Sequence, residues 1–64
     1  MDAARYLVMY DNKLWGYWNE SLLRMSIFEN KQQGCVPQGI YEMVEDSRGA
    51  LEYKPISEEE LEKR

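Results

Sequence analysis

The sequence predicts a small, β-dominated α+β domain: an antiparallel sheet of two hairpins, at about residues 6–18 and 39–54, then a short C-terminal helical turn. Three observations predict it. Five of the eight aromatic rings fall between Tyr6 and Trp18, on two apolar runs split by a polar pair. Two further β-prone runs flank Asp46-Ser-Arg-Gly49, whose Asp-first, Gly-last order suits a type I turn. Ser57-Glu-Glu-Glu60 then reads as a capping box that opens a helix.

Taken in order, Tyr6-Leu-Val-Met-Tyr10 is apolar on both faces. Tyr6, Val8 and Tyr10 share one face and Leu7 and Met9 the other, as in a strand with neighbours on both sides. Asp11-Asn12 tolerates the left-handed backbone of a tight hairpin turn. Leu14-Trp-Gly-Tyr-Trp18 returns as the second strand. Gly16 within it marks a bulge or a place where another side chain crosses the backbone.

Residues 22–29 decide the architecture, and two patterns compete there. Leu23, Met25 and Ile27 alternate with Arg24 and Ser26 as in a fifth strand, which would complete an SH3-like meander. Asn19 as N-cap, good helix formers through Gln33, Gly34 as stop, Cys35 behind it and Pro37 beyond describe a helix on one face of the sheet. The apolar residues spread round the helical wheel instead of forming one stripe, so period two is the better fit. The end signals favour the helix. The balance tips slightly to the strand, with Asn30 to Gln38 as a long polar loop.

Gly39-Ile-Tyr-Glu-Met-Val-Glu45 and Ala50-Leu-Glu-Tyr-Lys54 form the second hairpin, with Leu51 and Tyr53 on one face and Pro55 ending it. In the C-terminal segment Leu61 is the lone apolar anchor, so this helix is expected to dock weakly or fray.

Size and composition bound the function. The 64 residues are read as one domain over 1–64, near the lower limit for folding without staples. A single cysteine, Cys35, cannot close an internal disulfide, whereas a secreted chain this small usually carries several. With no apolar leader and no apolar run of about 18 residues, the expectation is a soluble cytoplasmic protein, not a membrane protein. Residues 1–34 sum to zero charge, and residues 35–64 carry all of the net −4. Such a field repels nucleic acid and favours basic partners.

The chemistry of a reaction centre is missing. There is no His, so the common general base and the Ser-His and Cys-His nucleophile pairs are absent. The four glycines form no phosphate loop, and one thiol cannot hold zinc. The acids Glu42, Glu45, Asp46 and Glu58-Glu59-Glu60 read as solvated surface. No enzyme activity, cofactor or metal is expected.

Function must then come from contact. The leading expectation is an adaptor or inhibitor that occludes a surface of a larger protein, itself basic and of the nucleic-acid-handling kind. Trp15, Tyr17 and Trp18 would anchor the contact, and Glu42, Glu45, Asp46 and Glu52 would steer it. A structural subunit pairing with its own copy as a homodimer is the second class. A single-stranded nucleic-acid binder stacking bases on the aromatic hairpin is the third, and the lack of a basic groove counts against it. The small acidic character also suits a bacterial or phage accessory protein, as it suits many others.

Overall fold

The computed structural model describes residues 4–64. In chain order these form β1 (Tyr6–Tyr10), β2 (Lys13–Tyr17), α1 (Glu20–Gln32), β3 (Gly39–Glu45), β4 (Leu51–Ile56) and α2 (Glu58–Glu62). The four strands make one antiparallel sheet in the order β2-β1-β3-β4, with both helices on the same face.

The turns follow from local chemistry. Asp11 and Asn12 both take positive φ, 52° and 63°, the backbone of a two-residue turn whose twist matches paired strands. Gln38 reinforces it: the Gln38 side-chain oxygen accepts from the Asn12 amide at 2.8 Å. In the second hairpin the Asp46 carboxylate accepts from the amides of Arg48 (2.8 Å) and Ala50 (2.9 Å), and Gly49 takes φ 84°. β4 runs through Pro55 to Ile56, two residues beyond its expected end at Lys54. Proline is tolerated because β4 is an edge strand, where its missing N–H faces outward.

The strand alternative for residues 22–29 is corrected: they belong to α1. Asn19 is the N-cap, its side chain accepting from the Leu22 amide at 2.9 Å. At the other end Gly34 takes φ 83°; its amide donates to Lys31 O (3.0 Å) and that of Cys35 to Asn30 O (2.8 Å). That pair of bonds is a Schellman stop. The expected long loop from Asn30 shrinks to residues 33–38, because Asn30 to Gln32 remain helical.

The alternation misled because only Leu23 and Ile27, one helical turn apart, enter the core. Met25 points the other way with Leu22 and Phe28, and the three are 59%, 44% and 63% exposed. The apolar residues spread round the wheel because α1 carries two apolar faces, one inward and one outward.

The core is small. Tyr6 and Val8 of β1, Ile40 of β3, Leu23 and Ile27 of α1 and Leu61 of α2 are buried, with Tyr10, Tyr17 and Ile56 packed around them. The register explains this grouping: Val8 lies opposite Ile40, Ile40 opposite Ile56, and Tyr6 opposite Tyr17, so all share the helix-covered face.

The expected weak docking of α2 is also corrected. Leu61 is only 3% exposed, and three polar links reinforce it. Arg64 grips Glu42 of β3, Lys31 of α1 pairs with Glu58, and the Arg24 guanidinium donates to the Leu61 carbonyl. Ser57 caps the helix as expected, its hydroxyl oxygen accepting from the Glu60 amide at 3.1 Å.

Candidate protein-binding surfaces

The aromatic anchors expected from the sequence separate on folding. Trp15, on edge strand β2 opposite Val8, and Trp18, just before the Asn19 cap, are both more than half exposed, at 53% and 55%. Tyr17 is instead half-buried against the core, and its hydroxyl lies 2.5 Å from the Ser26 hydroxyl of α1. Between the first hairpin and the end of α1 lies an open groove of about 670 Å³, walled in part by Tyr10, Trp15, Tyr17, Asn30, Cys35 and Val36. Burial pushes the Tyr10 phenol above its ordinary value, with the Asn30 side chain acting the other way.

The four acids expected to steer a partner do not converge on the tryptophans. β3 and β4 lie across β1 from β2, so Glu42, Glu45, Asp46 and Glu52 occupy the other half of the sheet. Glu42 is committed internally: its two oxygens take Arg64 guanidinium bonds of 2.6 and 2.7 Å, and the Tyr6 hydroxyl adds a longer one of 3.4 Å. The Arg64 bonds hold the Glu42 carboxyl below the ordinary carboxylate range and raise the guanidinium in turn. Asp46 is used up by its turn, and Glu52 sits 3.7 Å from Lys54. Glu45, at the end of β3, is exposed.

Two apolar surfaces escaped the sequence reading. One is the outer face of α1, where Leu22, Met25 and Phe28 follow one another at i, i+3 and i+6. The other is the sheet face away from the helices. By register it holds Leu7 and Met9 of β1, Leu14 of β2, Tyr41 and Met43 of β3, and Leu51, Tyr53 and Pro55 of β4. Leu14 is 54% exposed and Leu51 is 62% exposed.

Both glycines on this sheet face are sheltered locally. A Cβ on Gly16 would come within 2.8 Å of the Ala4 Cβ, and one on Gly39 within 3.0–3.3 Å of the Tyr41 ring. Gly16 therefore marks a close crossing, not a bulge: the register runs unbroken from Leu7↔Gly16 to Val8↔Trp15. The Tyr53 hydroxyl donates to Ala4 O at 2.5 Å, fixing the start of the described chain on the same face.

The signal for the sheet face was present in β1, apolar on both sides, and in Leu51 and Tyr53. It needed the register to be assembled, because the residues come from four separate segments. The charges follow the opposite distribution. Of the charged strand residues, Lys13, Glu42, Glu52 and Lys54 lie on the helix side by register, and only Glu45 falls on the uncovered side.

Among the described residues no group of three His, Cys, Asp or Glu side chains gathers as a metal site would, and no helix is long and apolar enough to cross a membrane. No family model matches the chain, and no curated protein or solved structure is significantly similar to it.

Proposed function

We propose that this protein is a small acidic binding module of the cytoplasm, acting as an adaptor or inhibitor by covering part of a larger protein's surface. One observation carries the reading. The outer side of α1 bears Leu22, Met25 and Phe28 in the open, 44%, 59% and 63% exposed. Exposed apolar patches on this scale mark contact surfaces.

The outer face of α1 offers the geometry of a helix laid into a groove, with anchors spaced along successive turns. Glu29 lies on the same face, between Leu22 and Met25 on the helical wheel, and Glu62 of α2 lines the same shallow groove as Phe28. The fitting partner is an apolar cleft with a basic rim.

The nucleic-acid alternative draws less support. It needs several cations beside the rings, yet Lys13 alone lines the groove with Trp15 and Tyr17, while Lys31 pairs with Glu58 and Arg24 is spent on the Leu61 carbonyl and Glu20.

Affinity capture with the full chain and with Met25→Asp and Phe28→Asp tests the proposal. Both positions are exposed, so the variants keep the native fold by circular dichroism. The expected result is a stoichiometric partner held by the wild type, weakened by salt and lost with each variant. A partner retained equally by the variants, or none held by the wild type, sinks the helix-face reading.

A further inference from the structure

The sheet face away from the helices poses a separate question, since the reading above uses the opposite side. Its eight apolar side chains span all four strands, and the only formal charge among its strand positions is Glu45 at one end. An antiparallel sheet with one solvated face places its polar residues there. Here the order is inverted, because the charged strand residues sit around the helices. Among the described residues only the start of the chain at Ala4 rests on this face.

We infer that a second copy of this chain covers the face, giving a two-fold dimer in which the sheets stack and the helices point outward. The arrangement is that of a β-sandwich, with sheets about 10 Å apart and strands crossing at about 30°. A two-fold contact needs one surface that complements itself. An apolar face whose one strand charge, Glu45, lies at its end does so with little like-charge pairing. Acids of the helix side, with α2 and its three leading glutamates, turn away from the partner. Two molecules of net charge −4 can therefore approach by this side with the least mutual repulsion.

Area agrees with the assignment. The molecule is a slab of 40 × 25 × 17 Å. An ellipse on the two long axes covers roughly 800 Å², about what each partner gives to a stable interface of standard size. Among the described residues six side chains form the buried core, and a second copy would extend it through Leu7, Met9, Tyr41 and Met43. The first copy's sheet offers the partner a surface of the same kind and extent that it itself leaves uncovered.

Sedimentation equilibrium of the full chain at high micromolar concentration tests the inference, together with Leu14→Lys, Leu51→Lys and, on the opposite side, Met25→Lys. All three positions are more than half exposed, so the folded monomer tolerates the change. The expected result is twice the 7.7 kDa chain mass for the wild type and Met25→Lys, and the single chain mass for the two sheet variants. A second readout leaves the sequence intact: isotope-filtered NOEs between labelled and unlabelled copies should connect the Met9 and Met43 methyls to Leu14, Leu51 or Tyr53. A monomeric wild type, a dimer untouched by both sheet variants, a dimer broken by Met25→Lys, or absent intermolecular NOEs overturns it. These outcomes are independent of partner capture by the helix face, so either reading can fail alone.

Discussion

Arg64 grips Glu42 in a two-pronged ion pair, 2.6 and 2.7 Å between guanidinium nitrogens and carboxylate oxygens, and so ties the end of the chain to the middle of β3. Bidentate pairing fixes direction as well as distance. Together with the buried Leu61 it turns the short acidic tail helix into part of the fold.

The pair has a pH signature. The Glu42 carboxyl lies below its ordinary value of 4.5 in the folded protein, chiefly through the Arg64 hydrogen bonds. A depressed carboxylate contributes stability that is fully present above its unfolded value and is lost as pH falls through the folded one. Urea midpoints measured from pH 7 downward should therefore fall below about pH 4.5. Glu42→Gln should be less stable than wild type at pH 7, by less than any core truncation, and its midpoint should fall less on acidification. Equal acid dependence in both proteins would show that Glu42 is not the linked group.

Leu61→Ala removes a side chain that is 3% exposed. Truncating a buried leucine costs about 2–5 kcal/mol. Against a total of roughly 3–5 kcal/mol for so small a core, the variant should be largely unfolded at 25 °C by circular dichroism. A loss confined to the last turn, with the melting of the sheet unchanged, would mean that α2 is an appendage.

The ends of α1 should be measurable one by one. Asn19→Ala deletes the cap on the Leu22 amide and should cost about 1 kcal/mol. Gly34→Ala forces a Cβ into φ 83° and should cost a similar ~1 kcal/mol, although nothing lies within 4 Å to clash with it. Thermal unfolding of the two variants and the double mutant checks both figures, and the effects should add.

Tryptophan accessibility tests the exposed anchors. Trp15 and Trp18 are each more than half exposed, so iodide should quench both single-tryptophan proteins, Trp15→Phe and Trp18→Phe, to similar extents. In the dimer neither ring lies on the stacked sheet face, and quenching should not change with protein concentration. Strong protection of either ring would remove it from the contact surface.

Some of the fold was legible because its determinants are local. Asp11-Asn12, Asp46 to Gly49 and Ser57 each set a backbone conformation with their own short side chains, and the hairpins and the α2 start follow. The Asn19 and Gly34 signals were equally local and correct. They were outweighed by Leu23, Met25 and Ile27, whose alternation resembles a strand only while Met25 is assumed to be buried. The expected site was less legible. Glu42 and Tyr17 looked available in sequence, yet Arg64 and Ser26, 22 and 9 residues away, engage them.

By itself, then, the sequence determined where the chain turns, where α2 starts, and that no histidine-based chemistry is on offer, because each of these is a property of neighbouring residues. The tertiary structure decided which side chains stay uncovered. The strand pairing lines up Leu7, Leu14, Tyr41 and Leu51 from four segments on one face, and one layer of helices covers only the other. A sheet has two sides, and the described residues supply helices for one of them.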